Sequence, residues 1–252
     1  MNSMLSILAA LLFSASPPVF AAGSVTVAVA ANVKFAFQEL KTTFAKETGI
    51  AVKEVVSSSG KITAQVLNGA PFDVFLSADT GYPEKLRQQG LTASAPKIYA
   101  YGTLVLWTMK NIDLGRGIAL LTQDTIGKVA IANPRLAPYG RESVRAMAHY
   151  HVYSAVEPKL VYGQSISQTT QYIESRAADV GFTAKSVVLA PNMKGMGHWV
   201  EIPRDAYQPI AQAAVILKHG EDQNAAAANK FFDFIYSPPA RAIFSRYGYV
   251  LP

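Results

Sequence analysis

SVTVAVAANVKFAFQELKTTFAKETGIAVKEVV, residues 24–56, decides how the rest of the chain is read. It opens on a short run of β-branched and small apolar side chains, the composition of a strand buried on both faces. At Val33 the period changes, and Phe37, Leu40 and Phe44 fall on one face of a helix. Asn32 stands at the junction as an N-cap and Gly49 closes the helix. IAVKEVV, residues 50–56, is then a second strand.

The alternation continues outward. KITAQVLNG, 61–69, reads as a helix and FDVFLSA, 72–78, as a strand. Strands separated by helices imply right-handed crossovers and a parallel sheet. TLVLW, KVAIAN, LVYG and ADVGFTA read as further strands, with helices over RESVRAMAHYHVY and SISQTTQYIES. PIAQAAVIL, 209–217, reads as a strand returning to the first sheet, followed by NAAAANKFFDFIY and a helix after Pro238-Pro239. The expected fold class is α/β in two lobes, the second inserted into the first, with crossings near 99–103 and 206–210. One larger α/β domain is the alternative. No segment repeats another in sequence.

With 252 residues, half of them apolar, the chain can bury a sizeable core. Residues 1–21 are uncharged, with an apolar run from Leu5 to Phe13 too short to span a bilayer and a small-residue end at Val19-Phe20-Ala21. They read as a secretory signal peptide, although no Lys or Arg precedes the apolar run, and the expected location is the periplasm. The absence of cysteine removes disulfides, thiolate metal sites and thiol nucleophiles. The net charge of +6 comes from scattered Lys and Arg without a basic-aromatic stripe, which disfavours nucleic acid.

VVSSSGKI, 55–62, suggests a phosphate loop, but Val55 and Ile62 stand where that motif needs glycine and Ser or Thr. Gly163-Gln164-Ser165-Ile166-Ser167 lacks the second glycine of a nucleophile elbow. His149 and His151 lie on different helix faces, and His198 and His219 stand alone, so no metal site or general base is legible. What recurs is a polar junction where a strand ends and a helix begins: Asn32, Ser57–Gly60, Pro138-Tyr139-Gly140 and Gln164–Ser167. In open α/β sheets these ends bind ligands. Unpaired N–H groups and the helix dipole there favour an anion, and Ser59 and Gly60 allow close backbone approach. Neutral donors suit a fully deprotonated oxyanion, which offers only acceptors.

On VTVAVAANV, VVSSSGKITAQVLNGAPFDVFLSAD, KVAIANPRLAPYG and IFSRYGYVLP the chain resembles the periplasmic molybdate-binding proteins of molybdate ABC transporters. The resemblance implies a two-lobed periplasmic binding protein of type II with parallel-sheet lobes and a cleft between them. It implies lobe 1 over 22–100 and 208–252 and lobe 2 over 101–207. It further implies molybdate, and with it tungstate, as ligand, no enzymatic activity, no cofactor and no bare metal cation. The implied partner is an inner-membrane permease, and a monomer is expected. By position, the ligand contacts fall on Asn32, on Ser59 through hydroxyl and N–H, on Tyr139 and on the backbone at Ile166. Gly69-Ala70-Pro71 and Ser77-Ala78-Asp79 are framework. Ala184 stands where some relatives carry a tyrosine, whose hydroxyl Tyr139 is then the candidate to supply. Lys61 either faces solvent or attracts the anion over distance. Two other readings stay open: another tetrahedral oxyanion such as sulfate, and a secreted hydrolase using Ser165 or Ser59.

Overall fold

A computed structural model describes residues 23–252; the signal peptide expected over 1–21 lies outside them. The strands are β1 (Ser24–Ala30), β2 (Ala51–Ser57), β3 (Val74–Leu76), β4 (Lys97–Gly102), β5 (Leu104–Thr108), β6 (Val129–Ala132), β7 (Leu160–Gly163), β8 (Val180–Ala184), β9 (His198–Glu201) and β10 (Ile210–Ile216). The helices are α1 (Lys34–Thr48), α2 (Ser59–Leu67), α3 (Gly81–Gln88), α4 (Pro138–His149), α5 (Tyr153–Val156), α6 (Ile166–Glu174), α7 (Lys185–Val188), α8 (Lys218–Ile235) and α9 (Pro238–Arg246).

They build two five-stranded sheets, ordered β2-β1-β3-β10-β4 and β7-β6-β8-β5-β9. The sheets are mixed, where wholly parallel ones were expected. β1 runs parallel to β2 and β3, and β6 to β7 and β8, but β10 lies antiparallel to β3 and β4, and β5 antiparallel to β8 and β9. The reason lies in how β5 and β10 arrive: each enters its sheet from the other one rather than through a helical crossover, so the rule that makes βαβ neighbours parallel does not bind them. The chain leaves the first sheet after Gly102 and returns between Glu201 and Ile210.

Strand order reveals a repeat that residue identity conceals. β1, β2 and β3 correspond in place to β6, β7 and β8, and β10 to β5. An aspartate just before the third strand anchors each half, Asp73 buried and Asp179 partly exposed. Asp73 Oδ2 accepts from Thr26 N at 2.8 Å and from Asn224 Nδ2 at 2.9 Å, while Asp179 Oδ2 accepts from Gly127 N at 2.8 Å and Lys128 N at 2.7 Å. Asp73 thus satisfies a backbone N–H near the start of β1 and Asp179 two just ahead of β6, each the second strand of its sheet. The Asn224 bond also fixes a break in α8, where Asn224 leaves helical geometry at φ −153°.

The first strand is buried along most of its length, and α1 lays Ala36, Phe37, Leu40 and Phe44 on the core. Phe44 meets the Phe231 ring edge-on at 5.0 Å, joining α1 to α8. Gly49 ends α1 in the left-handed conformation at φ 72°, as the sequence predicts. Among the described residues no helix is long and apolar enough to cross a membrane.

Candidate functional site

The carboxyl ends of β1 and β2 face those of β6 and β7, and each of these strands is followed by a helical turn, β6 after a five-residue loop. After β1 the chain makes a 3-10 turn over Ala31–Val33; after β2 it starts α2 at Ser59; α4 starts at Pro138 and α6 at Ile166. Asn32, Ser59, Tyr139 and Ile166 come together there, lining one cavity of about 10 Å³ with Ala31 and Ser58. They fall into two pairs under the repeat: Asn32 with Tyr139 after the first strand of each half, Ser59 with Ile166 after the second. Every residue that lines the cavity is uncharged.

Ser59 and Ile166 are first residues of their helices and Tyr139 is the second of α4, positions whose N–H groups have no carbonyl one turn back. All three are nearly fully buried. Ser59 Oγ accepts from Ala78 N at 3.0 Å, which fixes the oxygen and leaves its proton to donate. The site is therefore a cluster of converging donors at the positive ends of three helices, suited to an acceptor-only ligand.

Behind the cavity lies a buried network that the sequence does not announce. Gln212 on β10 is fully buried; its Oε1 accepts from Asn32 Nδ2 at 2.8 Å and Tyr99 Oη at 3.0 Å, and its Nε2 donates to Tyr139 Oη at 3.2 Å. Asn32 Nδ2 also reaches Tyr249 Oη at 3.2 Å, and the Asn32 carbonyl accepts from Ser186 Oγ at 2.8 Å. Asn32 thus does not cap α1, whose N-cap is Val33, because its amide is held by this network. The Tyr139 hydroxyl is held in the same way, so its nearest partner is Gln212, and Ala184 is fully buried outside the cavity lining. Burial pushes the Tyr99, Tyr139 and Tyr249 phenols well above their ordinary range, so all three stay neutral beside a bound anion.

α2 begins at Ser59, earlier than the Lys61 start expected from periodicity, and this changes the reading of Gly60 and Lys61. Gly60 N donates to Leu136 O at 2.9 Å, and a side chain there would press on the Leu136 backbone at 3.0 Å. Its missing side chain serves the approach of the opposite half of the molecule. Lys61 Nζ donates to Gln164 Oε1, and Arg141 pairs with Asp79, both across the same cleft. Lys61 is therefore a tie between the two halves. Partly exposed charged ties of this kind contribute about 0.2–1 kcal/mol each. Arg141→Ala combined with Lys61→Ala should speed ligand release about three- to tenfold with little change in association, read by rapid-mixing fluorescence. An unchanged release rate would show that the ties do not hold the cleft shut.

No grouping of three or more His, Asp or Glu side chains suited to a metal ion occurs among the described residues. Ser165 Oγ accepts from Gln168 N at 3.4 Å as the N-cap of α6, and Ser59 Oγ accepts from Ala78 N. Each serine has a positioning partner of its own.

The family described as bacterial extracellular solute-binding protein matches residues 25–250. The molybdate-binding protein ModA of Rhodobacter capsulatus is 41% identical over 231 residues, 91% of this chain and 89% of that protein. The solved periplasmic molybdate-binding protein of Azotobacter vinelandii superposes with a TM-score of 0.84 at 35% identity, covering 90% of this chain and 99% of that one. The sulfate-binding protein SubI of Mycobacterium tuberculosis shares the fold alone, with a TM-score of 0.72 at 16% identity over 90% of this chain and 86% of its own.

Proposed function

We propose that this chain, which belongs to the bacterial extracellular solute-binding protein family and to its molybdate-binding ModA members, captures molybdate or tungstate in the periplasm. It hands the anion to the membrane permease of an ABC importer and catalyses no reaction. The reading takes residues 22–100 with 208–252 as one lobe and 101–207 as the other. Asn32, Ser59, Tyr139 and Ile166 contact the anion from the two sides. The observation that supports it is the convergence of three helix starts and a free hydroxyl proton on a cavity with no charged lining residue.

The physics of capture follows from those donors. A dianion touching both lobes stabilises the shut form by its differential affinity for it, which is the only way a ligand shifts such an equilibrium. Neutral donors give up the anion more readily than a buried cation would, since no uncompensated charge is left behind on release. At about 10 Å³ the cavity has the room of one water-sized particle. A tetrahedral oxyanion is larger, so binding requires the lobes to stand slightly further apart than here.

That small volume also supports a second reading, in which the cargo is the smaller sulfate. Calorimetric titration with molybdate, tungstate, sulfate and phosphate separates the two. Tight one-to-one binding of molybdate and tungstate is expected, with sulfate at least a hundredfold weaker, about 2.8 kcal/mol. Sulfate binding as tightly would favour the second reading, and no anion binding would defeat both.

A further inference from the structure

Ser58 precedes α2 in extended backbone, φ −72° and ψ 150°, where a serine ordinarily caps the helix by accepting from an N–H of the first turn. It makes no such bond. The residue lines the anion cavity, is 3% exposed, and its Oγ has no hydrogen-bond partner in the protein. Thr92 Oγ1 is the other buried side-chain polar atom in this condition among the described residues, and Thr92 does not line the cavity.

A buried hydroxyl without a partner is unfavourable, and folded proteins almost always satisfy one. Serine could have discharged the cost by capping α2, yet it does not. The neighbouring hydroxyl offers a contrast: Ser59 Oγ is fixed by Ala78 N. The Ser58 hydroxyl keeps both its proton and its lone pairs uncommitted while sitting among donors that converge on one point. The partner it lacks is therefore one that arrives with the ligand.

We propose that Ser58 is a further direct anion contact, its Oγ–H donating to one oxygen of the bound oxyanion beside Ser59. This rests on the oxyanion reading above and adds to it a side-chain donor outside the four contacts already named. The sequence holds Ser57, Ser58 and Ser59 in a row, and the tertiary structure divides them: Ser57 ends β2, Ser58 faces the cavity unpaired, and Ser59 opens the helix.

The test compares the wild-type protein with Ser58→Ala by calorimetric titration with sodium molybdate, and by thermal unfolding without anion. The expected result is a Kd at least tenfold weaker for Ser58→Ala. Its anion-free Tm should stay within about 1 °C of wild type, because no bond within the protein is lost. The ligand-induced rise in Tm should shrink accordingly. Wild type and Ser58→Ala binding molybdate within twofold of each other would overturn the proposal and leave the oxyanion reading standing. A fall of several degrees in the anion-free Tm would overturn it too, by showing that the hydroxyl has a structural partner. A wild-type protein that does not bind molybdate would defeat the oxyanion reading itself, and this contact with it.

Discussion

Gly140→Ala will lose molybdate affinity by a hundredfold or more, about 2.8 kcal/mol. Gly140 is the third residue of α4, directly after Tyr139, and packs so closely on β6 that an added Cβ would overlap the Ala132 carbonyl oxygen. It would also come within 3.1 Å of the Asn133 carbonyl carbon. These are backbone atoms at the buried end of β6 and just past it, so no side chain can swing aside to make room. The start of α4 has to move instead. That displaces the Tyr139 N–H from the cavity and pulls the Tyr139 ring against Gln212, disturbing both sides of the site at once. Overpacking of this kind also costs about 1–3 kcal/mol of stability. The measurement is titration beside a melting curve; affinity within threefold of wild type would show that the helix start does not carry the contact.

Gln212→Leu is expected to lower Tm by about 6–15 °C, at about 2–4 °C per kcal/mol for a chain of this size. The side chain is fully buried and serves three partners: Asn32, Tyr99 and Tyr139. Leucine fills similar space but removes one partner from each of those groups, at about 1–3 kcal/mol for each one left unsatisfied. Some of that loss is recovered because Asn32 keeps Tyr249 and Tyr99 Oη keeps the Ser77 carbonyl at 3.0 Å. Affinity should also fall about tenfold, since Asn32 and Tyr139 are held in place by the same amide. A Tm change under about 3 °C would mean the network is dispensable and the two lobes are positioned by apolar packing alone.

Much of this protein was legible before folding because the relevant signals are local. The strand–helix alternation from Ser24 to Ala78 follows from the periodicity of apolar residues, and Gly49 ends α1 at φ 72° because only glycine adopts that geometry freely. The polar junctions were legible for the same reason, being fixed by where one period stops and the next begins. Elements with weak or mixed patterns are not legible: α3 is short and mostly polar, KIYAYG reads as punctuation although it forms β4, and HWVE carries no strand signal although it forms β9. α2 and α4 start earlier than their apolar periods indicate, since Ser59, Gly60, Pro138 and Tyr139 carry turn chemistry in isolation.

By itself, then, the sequence determined that the chain is α/β and that neutral hydrogen-bond donors gather where its strands end, because period and residue type act over a few neighbouring residues. Only the tertiary structure decided which side chains meet. Asn32 and Gln212 lie 180 residues apart yet share a hydrogen bond, and Lys61 finds Gln164 103 residues away. The antiparallel course of β5 and β10, the repeat shared by the two sheets and the unpaired state of Ser58 belong to the same class. They depend on the path of the whole backbone between the lobes, and no local pattern of residues encodes that path in readable form.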